Sequence, residues 1–427
     1  MNLANIAYWF YNLMPGNKLA TSVRHLETAY QTGAQPDPTA ILLHAAHTVP
    51  FYRSLGLQNA PLARFPVVGK DTIKASPDHF LSESFRKHQL IAGKTSGTHG
   101  LPFGFFWDAN KALLRTAEVI YHNTWIGYRV GDLHLLNAVG LNKSKFKLLL
   151  QNEIVHNPRF INDQWMEEQR QTLIDKKVPF YVGYGSVIDR FSQFCLDRGD
   201  SPKLFSLQGI ISTAEYLSEH ARARAERVFG CPVLRRYATL ESGILAHECP
   251  EERRYHINTG NYFIEFLQLD TNDPARPGEM ARIVITDLIS RAMPLIRYEI
   301  GDLAVIDPSP CPCGRKSATL KELMGRTTDN LINDKGKLVS WLDVNDAMWS
   351  VNGIQRFQFV QHDYHYCELN IVSTTGYNSK HLLQVAKNIL GDSMEVRIND
   401  VESIAGLGSG KTPNIVNRVV YSTEKVE

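Results

Sequence analysis

The sequence lacks any apolar run long enough to cross a bilayer: the ~18 consecutive apolar residues of a membrane helix occur nowhere. It also has little net charge. Its 46 basic and 44 acidic side chains leave +2, with no long run of either sign. A nucleic-acid binder that works by neutralising phosphates carries a basic excess, so that class is disfavoured. Cysteine is scarce, six in 427 residues, which makes no disulfide framework and leads us to expect a reduced, cytoplasmic setting. The aromatic start, MNLANIAYWFYNLMPGNK, has no positive charge ahead of its apolar part. It therefore lacks the n-region of a secretory signal and reads as a core or docking helix. There is no internal repeat, no low-complexity tract and no G-x-S-x-G elbow, so a serine hydrolase has no support. What remains is a long chain, 43% hydrophobic, too apolar for disorder and too large for one core, which predicts two or three domains.

Residues 1–90 read as mostly helical. In AILLHAAHTVPFY, Ile41, Leu42, Ala45 and Ala46 recur at helical spacing until Pro50 stops the run. From about 90 to 300, short apolar strands alternate with helices. KLLLQ (147–151), FIEFL (263–267) and RIVIT (282–286) are strand candidates, and SEHARARAERVF (218–229) is a helix closed by Gly230. Such alternation implies a layered α/β body. The last hundred residues read as a separate α+β unit. Phe357 and Phe359 alternate with polar residues, as do Cys367, Leu369 and Ile371. SKHLLQVAKNIL (379–390) is an amphipathic helix with Ser379 as N-cap, Gly391 behind it, and Leu382, Leu383, Ala386, Ile389 and Leu390 on one face. MEVRIN (394–399) alternates again, and the polar stretch from Gly325 to Gly336 is the expected linker.

The most informative segment is KTSGTHGLPFGF (94–105). Thr95, Ser96 and Thr98 supply hydroxyls, Gly97 and Gly100 free the backbone, and Pro102 closes the loop. Hydroxyls and exposed N–H groups at this density suit the oxygens of a polyphosphate. GLGSGKT (406–412) imitates a Walker A loop, but the glycine that pattern needs at 405 is Ala405, and Pro413 prevents the helix that must follow. It is left as a glycine-loosened loop presenting Lys411.

TSGTHGLP, YATLESG (237–243), RYEIGDL (297–303), CPCGR (311–315), GRTTD (325–329) and the late Gly-Lys follow one another in the order found in adenylate-forming ligases. With VPFYR (49–53) and PVVGK (66–70), the chain resembles the phenylacetate–CoA ligase and capsule-biosynthesis (CapK-type) branch over nearly its whole length. The resemblance implies an α/β fold: a large layered adenylation body with a helical N-terminus (1–90, then 91–326) and a small, mobile α+β C-terminal cap (327–427). It implies Mg-ATP-dependent conversion of a carboxylic acid to an acyl-adenylate with release of pyrophosphate, then transfer to a thiol, coenzyme A first among them. By resemblance, Thr95, Ser96, Gly97, Thr98 and Gly100 hold the β- and γ-phosphates. Glu241 binds Mg²⁺, and Tyr237 packs on adenine. Ser212, Thr213 and Ala214, in GIISTAE (209–215), line the adenine and acyl sites. Asp302, helped by Arg326, accepts the ribose hydroxyls, and Lys411 bridges carboxylate and α-phosphate. A compact ammonium suits that place, because the first step brings two anions together. The acyl pocket is expected from YHNTWIGY (121–128) and GYGS (183–186).

A second set is metal-like. Cys249 and His256, with Cys311 and Cys313 around a proline and ahead of Gly314, match a closed Cys₃His structural zinc site. His247 is an alternative to His256, and ordinary surface thiols are the alternative to a metal; related ligases can carry a metal at these positions. HDYHYC (362–367) reads as a hairpin turn rather than a ligand set, and His44 and His47 share a helix face without a third ligand.

Four positions depart from the family pattern. His99 replaces a threonine of the phosphate loop, Leu240 the threonine before the Mg²⁺ glutamate, Ile300 a threonine before Gly301, and Thr328 the first of two hinge aspartates. Two rival readings follow. One keeps adenylation but passes the acyl group to an amine or a carrier-protein thiol. The other is a non-catalytic binding protein that retains the fold.

Overall fold

The computed structural model describes residues 5–6, 18–94, 103–140, 143–326, 330–339, 341–373, 376–404 and 414–419. The N-terminal part is helical: α1 (Lys18–Thr32), α2 (Thr39–Thr48), α3 (Pro50–Ser54) and α4 (Lys70–Ala75). Pro50 ends α2 as expected, then opens α3 from its first turn, where a missing N–H costs nothing.

Strands β1 (Ile91–Lys94) and β2 (Gly104–Trp107) pair as an antiparallel hairpin ahead of α5 (Ala109–Asn123). There follow β3 (His134–Asn137), α6 (Lys145–Gln151), β4 (Glu153–His156), α7 (Asp163–Asp175), β5 (Phe180–Tyr184), α8 (Gly185–Asp197), β6 (Gly209–Thr213), α9 (Glu219–Phe229) and β7 (Val233–Thr239). Then come β8 (Gly243–Glu248), β9 (Tyr255–Ile257), β10 (Tyr262–Leu267), β11 (Met280–Asp287), β12 (Tyr298–Asp307) and β13 (Thr319–Arg326). Eleven of these strands form one sheet in the order β10-β11-β12-β13-β9-β8-β7-β6-β5-β3-β4. From β4 to β7 the pairs are parallel, and from β7 to β10 they are antiparallel. The sheet changes character at β7.

The parallel half is buried on both faces, which is why its strands are apolar at successive positions. Tyr181, Ile210 and Val233 pack with Ile188 and Phe191 of α8 and Ala225 and Val228 of α9. The alternate residues Phe180, Val182, Ile211 and Leu234 pack with Leu26 and Tyr30 of α1 and with Ala117 and Tyr121 of α5. In the antiparallel half, Ile283, Ile285, Tyr298 and Ile300 pack against Ile41, Ala45 and Tyr52.

The C-terminal unit holds β14 (Leu331–Ile332), β15 (Leu338–Val339), α10 (Trp341–Trp349), β16 (Arg356–Gln361), β17 (Tyr366–Val372), α11 (Ser379–Leu390), β18 (Glu395–Asp400) and β19 (Ile415–Asn417). Its sheet runs β18-β17-β16-β19, and Phe357, Phe359, Leu369 and Ile371 close on Leu382, Ala386 and Leu390 of α11. HDYHYC spans the β16–β17 turn, where the Asp363 carboxylate accepts from the N–H groups of His365 and Tyr366.

Three local expectations are corrected. KLLLQ is helical, because Ser144 accepts from the Lys147 N–H and Asn152, at φ 49°, closes the helix; the strand comes next, as β4. A five-residue apolar run carries no period of its own, so the flanking caps decide it. The cap of α11 is Asn378, which accepts from the His381 N–H, not Ser379. Leu383 is exposed while Val385 is buried, so the inward face runs through Leu382, Val385, Ala386 and Leu390.

Candidate active site and metal centre

Those residues expected to carry chemistry that the structure describes lie around the C-terminal ends of β6 and β7, at the point where the sheet changes from parallel to antiparallel. In open α/β sheets such a switch leaves a crevice for ligands. The loop after β6 is held under constraint. Ala214 sits at φ 64°, in the left-handed region, which costs a residue with a Cβ on the order of 1 kcal/mol. Its neighbours hold it there. The Ser186 N–H at the start of α8 donates to Glu215 Oε2 at 3.1 Å, and the Ser186 hydroxyl donates to the same oxygen. A Cβ on Gly185 would lie 2.5 Å from the Tyr216 carbonyl, so the two loops touch backbone to backbone. Ser212 is buried and its Oγ has no partner among the described residues, whereas Thr213 is half-buried at the strand end.

Glu241, in the turn between β7 and β8, is buried. Its Oε1 accepts from the Tyr298 hydroxyl at 2.9 Å and lies 3.6 Å from Lys70 Nζ. Its backbone carbonyl accepts from Trp107 Nε1 at 2.9 Å. The second oxygen, Oε2, has no partner among the described residues. One oriented carboxylate oxygen is the donor that Mg²⁺ takes from a protein when phosphates and waters supply the rest, so Glu241 fits the ion. Lys70, Tyr298 and Trp107 were not singled out from the sequence. Lys70 and Tyr298 stand within matched motifs, PVVGK and RYEIGDL, but a motif does not say which member reaches across the sheet.

Asp302 accepts from the Tyr237 hydroxyl at 2.6 Å, at a sequence separation of 65. Gly301 at φ 90° turns the chain in front of it, and Asp302 stands opposite Arg326 in the β12–β13 register. The two residues expected at adenine and ribose are therefore neighbours. Thr95, Ser96, Gly97, Thr98, Gly100 and Lys411 lie outside the described residues, as does the side chain of Arg326. The hairpin β1–β2 brackets the first group, and its Trp107 is the residue that touches Glu241. Of the aromatic acyl-pocket candidates, Tyr121, Trp125 and Tyr128 belong to the core around Tyr30. That is a correction: they build the wall, not a free lining.

Cys249, His256, Cys311 and Cys313 come together, with their ligand atoms all within 4.8 Å of one another. Cys311 Sγ is 3.8 Å from Cys249 Sγ, and Cys313 Sγ is 3.3 Å from His256 Nε2. A tetrahedral ion with ~2.3 Å bonds to sulfur spaces two sulfurs by about 3.8 Å, the Cys249–Cys311 spacing, so the donor set fits zinc. The Nδ1 of His256 faces Ser317 Oγ at 3.0 Å, which leaves Nε2 for the thiols. Burial, with the Arg315 cation nearby, lowers His256 to about 4 and keeps the imidazole neutral. Burial pushes Cys311 up to about 12, while Cys313, burial notwithstanding, is lowered by hydrogen bonds from Arg315. His247 is not in the set. It stacks on His122 with ring centroids 5.3 Å apart, inside the core.

Comparison with known proteins bears on the family and the fold. The family described as CapK C-terminal domain matches residues 331–418. The chain is 34% identical over 313 residues to phenylacetate-coenzyme A ligase of Thermus thermophilus, covering 68% of this chain and 69% of that one. It is 23% identical over 375 residues to Protein CapK of Staphylococcus aureus, covering 84% and 81%. Among solved structures, 2-hydroxyisobutyryl-CoA ligase in the postadenylation state superposes with a TM-score of 0.70 at 16% identity, over 95% of this chain and 90% of that one. ATP-bound MatB from Rhodopseudomonas palustris gives 0.59 at 15% identity, over 97% of each. The chain belongs to the phenylacetate–CoA ligase and CapK-type branch of the adenylate-forming ligases, ATP-dependent enzymes that activate carboxylates.

Proposed function

We propose that this ligase joins a small carboxylic acid to the α-phosphate of ATP and then hands the acyl group to the thiol of coenzyme A. In the first step a carboxylate oxygen attacks the α-phosphorus, the bond from that phosphorus to the α,β-bridging oxygen breaks, and pyrophosphate leaves. In the second, a thiolate attacks the acyl carbon and AMP leaves. Both steps gather negative charge, so catalysis consists mostly of placing cations and hydrogen-bond donors. Thr95, Ser96, Gly97, Thr98 and Gly100 receive the β- and γ-phosphates. Tyr237 packs on adenine, and Asp302 exchanges the Tyr237 hydroxyl for those of the ribose, with Arg326 beside it. Ser212, Thr213 and Ala214 form the edge between adenine and acyl sites. Glu241 would hold Mg²⁺, whose chemistry here is neutralisation of phosphate charge. Lys411 bridges the two anions, carried by residues 327–427 acting as a mobile cap. The Cys₃His set would hold a structural zinc, since four protein donors leave no open position for substrate. Thiols kept as metal ligands suit a reducing, cytoplasmic setting.

The single observation that carries the reading is Glu241: a buried carboxylate aimed by Tyr298 and Lys70, with one oxygen left over. The test is ATP–pyrophosphate exchange over a panel of carboxylic acids, followed by acceptor competition between coenzyme A and an amino sugar. Exchange that needs both an acid and Mg²⁺, and that falls by at least ~100-fold in Glu241→Gln, is the expected result. No exchange with any acid refutes adenylation, and faster acyl transfer to the amine refutes the thiol.

A further inference from the structure

Among the described residues one buried guanidinium nitrogen has no hydrogen-bond partner, the Nε of Arg236. Arg170, Arg222, Arg235 and Arg297 each have a carboxylate oxygen within 3.0 Å. Arg236, the residue before Tyr237 on β7, has none within ion-pair distance among the described residues. Its one hydrogen bond goes from Nη2 to Asn123 Oδ1 at 2.6 Å, and its Nε is buried without a partner. The carboxylate whose charge it feels is Glu118. That group is fully used: Oε1 accepts from Asn258, Asn261 and Tyr262, and Oε2 from the Ile244 N–H. Beside Arg236 in the β7–β8 register stands His247, whose Nε2 is also buried and unpartnered. Its Nδ1 faces the Glu248 carbonyl, so it offers an acceptor and no charge.

Place gives this exception meaning. Successive side chains of a strand face opposite ways. Tyr237 reaches toward Asp302; Arg236 shares the face of Leu234 and Ile211, toward the C-terminal end of α5, where Asn123 stands. It is one residue removed from the expected nucleotide contact, and its partner Asn123 belongs to YHNTWIGY, the segment expected at the acyl site. A guanidinium nitrogen buried without a partner is costly, and that cost is removed when an oxyanion arrives.

Resting on the adenylation reading above, we infer that Arg236, steadied by Asn123, is a specificity-determining residue that selects acids bearing a second negative group, dicarboxylic acids being the simplest. One carboxylate goes to the α-phosphorus, and the other stays ionised and takes the free Nε–H of Arg236 together with the second hydrogen of Nη2. A guanidinium is matched to that task because its donors form a planar fork that fits a carboxylate.

The test uses the full chain in ATP–pyrophosphate exchange, with a homologous series of straight-chain dicarboxylic acids and the monocarboxylic acids of the same lengths, and with phenylacetate against 2-carboxyphenylacetate. The expected result is higher kcat/KM for the charged member of each pair. In Arg236→Gln that preference falls by at least ~100-fold, with monocarboxylate turnover retained. Arg236→Lys, which keeps the charge and loses the fork, keeps part of it and serves where the glutamine variant is unstable. Equal or better use of monocarboxylates by the unaltered enzyme overturns the inference and leaves adenylation standing. So does a variant that loses both classes equally, or one whose KM for ATP rises for every acid, because the guanidinium then serves the fold or a nucleotide phosphate. Absence of exchange with every acid ends the adenylation reading and this inference with it.

Discussion

The double replacement Cys311→Ser and Cys313→Ser isolates what the Cys₃His set does. The donors come from two places: Cys249 and His256 flank the β8–β9 turn, while Cys311 and Cys313 stand in the loop between β12 and β13. A metal there pins that loop to a neighbouring strand of a body that is already folded. It is therefore expected to add stability rather than to permit folding. With free zinc about 1,000-fold above its dissociation constant, linkage gives ~4 kcal/mol. Unfolding entropy of ~2 cal/mol/K per residue, over a body of roughly 330 residues, is ~0.7 kcal/mol/K, so the melting temperature should fall by about 6 °C. Elemental analysis should give about one zinc per chain, lost in the double variant and unchanged in His247→Asn. A strong chelator should lower the unaltered protein's melting temperature by the same ~6 °C and leave the variant where it is. Pyrophosphate exchange measured well below the transition should survive. Equal zinc content in both proteins, or loss of exchange without loss of stability, would refute a structural metal.

The pair Lys111–Asp287, 2.6 Å apart with both side chains fully buried, predicts that Lys111→Met costs about 3–5 kcal/mol by leaving Asp287 alone. Adding Asp287→Asn should recover much of that in denaturant titrations; a second loss of similar size would be the wrong sign. Burial, with the Arg236 cation beside it, lowers His122 to about 3, so below pH ~6.5 the unfolded chain takes up this proton first and stability rises with pH across the window. Between pH 6.5 and 5 the unaltered protein should lose about 2 kcal/mol more than His122→Asn, and parallel curves would contradict it. Lys411→Ala should cut adenylate formation by several orders of magnitude with ATP affinity nearly intact; near-normal adenylation would remove the lysine from the mechanism.

Long-period patterns and caps were legible in the sequence. Ser218 and Gly230 bound α9 as read, because a cap is a local hydrogen bond. KLLLQ was not legible as a helix, since its own residues carry no period and Asn152 decides it by taking a left-handed turn. At the site, Glu241 and Asp302 were legible only through ordered motifs. Their partners Tyr298 and Tyr237 reach them across the sheet and Lys70 from α4, and such pairings are set by tertiary packing rather than spacing. The Cys₃His set was the easier case, because softness and donor count restrict what thiols can do together. Arg236 gave no signal at all. A charged residue on a strand is ordinary until the structure shows its Nε buried and no described carboxylate within ion-pair distance.

Two buried glutamates separate structural from chemical carboxylates here. Glu248 is locked: Arg222 and Arg235 hold Oε1, and the Arg235 N–H holds Oε2 at 2.8 Å. No ion could displace those bonds without breaking several at once. Glu241 is held on one side only. Lys70 stands at 3.6 Å, beyond hydrogen-bond length, with a quarter of its side chain in solvent. A pair so placed is worth at most about 1 kcal/mol, whereas a divalent cation meeting an oriented oxygen brings twice the charge at ~2.1 Å. Lys70 can therefore keep the carboxylate in place between turnovers and yield without a large barrier. The same contrast applies to the cations, since Arg235 is satisfied by the fold and its sequence neighbour Arg236 is not. Adjacent residues on one strand thus differ, Arg235 spent on Glu248 and Arg236 left with an unpartnered Nε.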